Sequence, residues 1–227
     1  MLGDYYSGLE ENELAREQYL EVLRRNPQFE VAHLRLGLNY LQTAELDLAE
    51  TAFEKAIEIN TSSYQAYYYL GNIWLTRGDL TKARQQYEES LKFVLNFPEA
   101  VYALGAVFFR EGKFDTALTQ FEKVLRLNRS HADAYFSRAG VRVQQRQFND
   151  AIEDYNRAVQ LYDNQVADAI KAIEQYEDRG LMRKAEAERK KKERLEGIIE
   201  RARQLKMKAE DESQNEAVPE GYHPAVR

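Results

Sequence analysis

The chain has 227 residues, 44% of them hydrophobic and 31% charged, with a formal net charge of −6. That acidity argues against nucleic acid as the default ligand, though not against a local basic patch, and the absence of cysteine excludes disulfides and thiolate metal sites. No run approaches the roughly 18 apolar residues a membrane span needs, and the N-terminus lacks the basic and apolar regions of a secretory signal.

Residues 1–26 read as the stub of one helix and a complete second one from about Asn12 to Arg25. A period of 34 residues runs through this segment and on to Tyr155. Small residues recur at Gly37, Gly71, Gly105 and Ala139, and again at Ala15, Ala49, Ala83, Ala117 and Ala151. Four residues after each member of the second column stands an aromatic: Tyr19, Phe53, Tyr87, Phe121 and Tyr155. Self-similarity at such a period marks a stacked repeat array. Each repeat reads as helix, turn, helix. The small columns let the helices approach, and the aromatic one turn on fills the space between them. Asp47, Thr81, Asp115 and Asn149 are the expected N-caps of the second helices. Gly78 and Gly112 fall in the turns, where a positive φ suits glycine. The repeats run at about 30–63, 64–97, 98–131 and 132–165, and Pro98 suits the first turn of a helix. One helix pair cannot bury its apolar face alone, so neighbours must stack.

The residues that carry this period also carry a resemblance. Leu36-Gly37 with Tyr40, Ala49 and Phe53 resembles the tetratricopeptide repeat. Leu70-Gly71 with Trp74, Ala83 and Tyr87 is similar, as is Leu104-Gly105 with Phe108, Ala117 and Phe121. Leu2-Gly3 with Tyr6, Ala15, Tyr19 and Pro27 matches ahead of them. The repeat containing Ala139 departs, with Arg138 for the leucine and Arg142 for the tyrosine. The family's terminal proline is present only as Pro27. The resemblance implies an all-α, right-handed α-solenoid of helix-turn-helix repeats, five of them over 1–165, the first truncated at its N-terminus. Because the sequence enters the period at about its sixth position, we read it as trimmed there. The cytoplasm is the expected compartment, or the periplasm or another exported location if a signal or anchor was removed.

The period continues weakly beyond Tyr155, with Gly180 and Ala185 in register. We read residues 166–177 as the first helix of a degenerate sixth repeat, and 166–212 as a cap whose second helix extends as a charged rod to about Glu210. Arg189 and Lys192 stand where an aromatic and a small residue belong, which ends the stacking. Pairs such as Glu186–Lys190 and Lys192–Glu196 support the rod by about 0.2–0.5 kcal/mol each. Pro219, Gly221 and Pro224 predict a disordered tail over 213–227.

The family's inner face is built from the first helices, so the resemblance implies a partner-binding groove by register. Its residues are Leu34, Leu38 and Leu41, then Tyr68, Asn72 and Leu75, then Tyr102, Ala106 and Phe109, then Phe136, Gly140 and Val143. A contiguous apolar face of this kind suits a partner peptide or amphipathic helix. The family's clamp for chaperone C-termini needs lysines as well, and only Asn72 matches it. An apolar small molecule or lipid in the same groove is the alternative, and self-association or inhibition by the chain's own tail is another. On the rod, Leu195, Ile198, Ala202, Leu205 and Ala209 share a heptad seam. That seam either meets a partner or a second copy, or folds back on the repeats. The run Arg189-Lys190-Lys191-Lys192 reads as a solvated helix face interleaved with glutamates, rather than a nuclear signal or a lipid or RNA contact. The histidines His33, His131 and His223 are far apart, and no catalytic motif occurs. A non-catalytic protein-binding scaffold without cofactor or metal is therefore expected.

Overall fold

The computed structural model describes residues 2–8 and 11–217. Among them the regular elements are α-helices: α1 (Leu2–Ser7), α2 (Asn12–Arg25), α3 (Glu30–Gln42), α4 (Leu46–Ile59), α5 (Tyr64–Thr76), α6 (Leu80–Phe93), α7 (Pro98–Arg110), α8 (Phe114–Leu127), α9 (Ala132–Gln144), α10 (Phe148–Asp178) and α11 (Met182–Ala217). The chain divides into two compact units, residues 1–111 and 112–227.

In the first unit, hairpins α1–α2, α3–α4 and α5–α6 pack in sequence, and α7 packs on α6. The small columns set the spacing. A Cβ on Gly3, Gly37 or Gly71 would lie 2.5, 2.6 or 2.4 Å from the ring of Tyr19, Phe53 or Tyr87. Each glycine thus lets an aromatic of the second helix reach the backbone of the first. Ala15, Ala49 and Ala83 are fully buried beside them, where anything larger would force the helices apart.

The second helices begin two residues before the expected caps. Glu45, Asp79, Lys113 and Gln147 occupy the N-cap positions, and of these Asp79 caps through its side chain, accepting from the Lys82 N–H. Asp47 and Asp115 instead lie in the first turn, where a carboxylate faces the positive end of the helix dipole. From there Asp47 pairs with Arg77 at 2.5 Å and Asp115 accepts from the Gln145 amide at 2.6 Å. The turn column is 34-periodic too. Gly78, Gly112 and Gly180 have φ of +84°, +75° and +68°, and Ala44 and Arg146 hold the same conformation at +60° and +59°. Junctions between repeats use Asn26, Asn60 and Asn128, whose side-chain oxygens accept from the N–H two residues on.

Contacts between repeats recur with the same 34-residue spacing. Arg16 reaches Thr43 and Glu45, Arg77 reaches Glu50, and Arg84 reaches Glu111. The pairs Arg16–Thr43, Glu50–Arg77 and Arg84–Glu111 each span 27 residues. They tie the second helix of one repeat to the end of the next repeat's first helix.

In the second unit, α8, α9, α10 and α11 pack in succession. The expected break before residue 166 is absent: α10 is one helix of 31 residues. No proline or glycine lies between Asp163 and Val166 to end it. Gly180 then turns the chain, and α11 runs back antiparallel. Arg189 pairs with Glu177 near one end, and Ser213 meets Asn149 at 3.2 Å near the other. The rod folds back rather than projecting. Its helix continues to Ala217, five residues into the expected tail, and residues 218–227, with His223, lie outside the described residues.

Candidate functional site

The inner-face positions of the first unit lie on α3, α5 and α7. Leu34 is corrected to a core residue: at 6% exposure it belongs to the cluster of Phe53, Leu70 and Ile73. Leu38 and Leu41 are half-buried and, with Asp4, Tyr19, Arg35 and Gln42, line a cavity of about 550 Å³. Arg35 Nε stands 3.3 Å from Asp4 at its wall. On α5, half-buried Tyr68 joins a chain of rings. It meets Tyr69 edge-on at 5.1 Å and Phe97 at 5.2 Å, while Tyr69 stacks on Phe53 at 5.3 Å. Leu75 packs partly buried against the Tyr87 and Leu104 cluster. Tyr102, Ala106 and Phe109 are all half-buried on α7.

Asn72 has a structural partner that register alone did not reveal. Its side-chain oxygen accepts from the Tyr87 hydroxyl at 2.7 Å. Two repeats earlier, Asp4 accepts from the Tyr19 hydroxyl at 3.1 Å. Where the aromatic is Phe53, the matching position is Leu38. A buried phenol requires an acceptor and a phenylalanine does not. Over four copies Tyr19, Phe53, Tyr87 and Phe121 match Asp4, Leu38, Asn72 and Ala106, and this alternation is the available signal; Tyr155 departs from it, with Gly140 at the matching position. Burial pushes the Tyr19 hydroxyl up to about 12, with the Asp4 hydrogen bond adding to it. Burial raises Tyr87 and Tyr69 as well.

The second unit brings the two predicted sets together. Leu195, Ile198 and Ile199 of α11 join the cluster that includes Phe136, Tyr135 and Tyr162. Ala202 and Leu205 join Phe136, Val143 and Tyr155. The seam on the C-terminal helix therefore lies along α10, with Phe136 and Val143 of α9 in the same clusters. Ala185, Ala202 and Ala209 are buried at 0–1% exposure along the same side. Burial pushes Tyr155 up to about 12, against the opposing pull of Arg201 on α11. Ile199, which falls outside a strict heptad, completes the seam. Along the basic run, Lys191 pairs with Glu188 at 3.0 Å and Lys192 with Glu196 at 2.8 Å. These exposed pairs contribute little individually.

The two arginines that break the repeat pattern share one acid. Arg138 forms a two-pronged pair with Asp154 at 2.8 and 2.6 Å, and Arg142 reaches the same carboxylate at 2.8 Å. Asp154 is 3% exposed. Burial pulls the Arg138 pKa down, but its bonds to Asp154 outweigh that and hold it above the ordinary value. His131 caps α9 by accepting from the Ala134 N–H, and His33 contacts the Pro27 carbonyl at 2.9 Å. Among the described residues no group of three or more His, Cys, Asp or Glu could hold a metal ion. No described helix is long and apolar enough to cross a membrane.

Helix-turn-helix hairpins stacked at a 34-residue period define a class of helical repeat protein. The tetratricopeptide repeat model matches residues 1–63, 34–94 and 102–166, and the chain belongs to that family. Its fold class is accordingly the all-α solenoid of helix-turn-helix repeats, here with an extended, charged C-terminal helix. Solved structures agree. MamA is 22% identical over 72% of this chain and 96% of its own, with a TM-score of 0.64. PilF of Pseudomonas aeruginosa is 21% identical over 86% of this chain and 88% of its own, with a TM-score of 0.66. YrrB, a TPR protein with an unusual peptide-binding site, is 23% identical over 70% of this chain and 82% of its own, with a TM-score of 0.58. At these identities the likeness speaks for the fold. No curated protein matches the chain significantly. Tetratricopeptide repeat proteins are protein-interaction scaffolds, generally non-catalytic.

Proposed function

We propose that this chain is a non-catalytic adaptor whose first unit receives a peptide or helix of a partner protein on its first-helix face. The observation that carries this reading is the cavity of about 550 Å³ at Leu38 and Leu41. It lies on positions the repeat register assigns to the inner face, and Tyr68 and Tyr69 continue that face on α5. Its volume is in the range of ligand sites, but the Asp4–Arg35 pair in its wall suits a polar peptide backbone better than a lipid chain. Site-specific photocrosslinking tests the reading. A crosslinker placed at Leu41 or Leu75 captures the partner, whereas one at Leu48, exposed on α4, does not. Phe109→Glu abolishes capture without moving the thermal midpoint. Capture from Leu48 alone overturns the reading.

A further inference from the structure

Helix α11 uses its cations in two ways. Towards the side of its buried residues they are paired: Arg189 with Glu177, Lys192 with Glu196 at 2.8 Å, Arg203 with Asp163 at 3.8 Å and Lys206 with Glu210 at 3.4 Å. Away from that side they form a line. Arg183, Lys190, Arg194, Arg201 and Lys208 follow one another at steps of seven or four residues, which keeps them within about 40° of one another around the helix over a length of about 38 Å. All five are exposed. Among the described residues, Lys190, Arg194, Arg201 and Lys208 form no ion pair.

Arg194 and Arg201 form the centre of the line. One turn away on either side stand Lys190, Lys191, Gly197 and Ile198 for the first, and Gly197, Ile198, Gln204 and Leu205 for the second. No carboxylate therefore stands beside either on the helix surface. Glu186 and Glu193 border only the N-terminal part, and Glu186 is taken up by Arg189 at 3.3 Å. The line stops at Lys208, before Asp211 and Glu212. Like charges one turn apart, as in Lys190 and Arg194, weaken a helix rather than support it. Folding does not use this row, so its counter-charge has to come from outside the chain.

The end of the line says what kind of anion fits. There the turn around Gly180 exposes Leu181 and Met182, at 40% and 58%, beside Arg179, Arg183 and Lys184. The Lys184 ammonium lies 5.9 Å from the centre of the Tyr176 ring. Apolar and aromatic side chains at a tip flanked by cations suit the interfacial zone of a bilayer. A nucleic acid would instead stack its bases on rings along the line, and the line has none. A straight row also meets a plane along its whole length. The chain as a whole carries −6, so an anionic surface attracts it through this helix or not at all. We infer that the outer side of α11 is a peripheral contact for an anionic bilayer surface. Its cations sit among the headgroups, and Leu181 and Met182 enter the interface. This contact is independent of the first unit's groove.

The test is co-sedimentation of the intact chain with vesicles of phosphatidylcholine, with and without phosphatidylserine, with circular dichroism on each variant to confirm the fold. Sedimentation that requires phosphatidylserine and is reversed by salt is expected. Arg194→Gln and Arg201→Gln each lower the partition coefficient by about fivefold, and Arg194→Glu with Arg201→Glu abolishes sedimentation. The same reversal on α2, Arg24→Glu with Arg25→Glu, leaves it unchanged. Leu181→Ser with Met182→Ser weakens binding without altering its salt dependence. Sedimentation indifferent to phosphatidylserine overturns the inference, and so does sedimentation that survives the double reversal on α11. Capture of an RNA oligonucleotide or of polyglutamate through Arg194 and Arg201, with the vesicles left unbound, also overturns it and assigns the line to another polyanion.

Discussion

The two units answer the same repeat pattern in different ways. In the first, the consensus Leu, Gly and aromatic residues are in place, the glycines admit rings at Cβ distances no side chain could share, and the first-helix face carries a cavity. In the second, Arg138 and Arg142 replace the leucine and the aromatic, Ala139 replaces the glycine, and the chain's own last helix packs along α10 in clusters that include Phe136 and Val143. These departures belong together. Two cations brought into a repeat core need a buried anion, and Asp154 stands where other repeats hold Ala52, Gln86 or Gln120. The helix beyond it turns back along α10.

The sharpest way to break this comparison is to remove the anion. Asp154→Ala leaves two arginines buried without their partner and should cost about 3–5 kcal/mol in urea unfolding. Restoring apolar consensus residues at the same time, Arg138→Leu with Arg142→Tyr, should recover most of it; no recovery would mean the charges specify the second unit's packing. Next in size is the helix that covers the second unit. Leu195→Ala should cost about 2–4 kcal/mol, seen as earlier unfolding of the second unit by hydrogen exchange, with amide protection in α2 to α6 unaltered. In the first unit, Gly71→Ala should cost about 1–3 kcal/mol, since the new methyl meets the Tyr87 ring. The converse change in the second unit, Ala139→Gly, should cost only about 0.5–1 kcal/mol through backbone entropy. The smallest effect is stabilising. Ala44→Gly and Arg146→Gly relieve left-handed strain and should each add about 0.5–1 kcal/mol, one in each unit, and thermal scans would register both.

Alkaline titration addresses the buried phenols common to both units. Tyr19 and Tyr155 are pushed up to about 12 by burial, above the ordinary tyrosine value near 10. Their contribution is complete below pH ~10 and is lost as pH rises toward 12, because the unfolded chain releases those protons first. Tyr155→Phe should flatten that fall, and an unchanged slope would show that other groups set it.

The sequence by itself determined the period, the helix pairs, the family and which columns would be small or aromatic. These are local and repeated, so each copy reinforces the same inference, as with Gly37 and Phe53 or Gly71 and Tyr87. It also marked Phe136, Val143, Leu195 and Ala202 as surfaces in need of cover. Only the tertiary structure decided that these residues join the same clusters, that Leu34 is core, and that Asn72 serves the Tyr87 hydroxyl. It alone decided that α10 runs unbroken and that Arg138 and Arg142 share Asp154. The reason is physical: periodicity records which faces a helix must bury, but burial is satisfied by any complementary surface within reach. Which surface that is depends on where a long helix ends and turns, and here Gly180 sets that point.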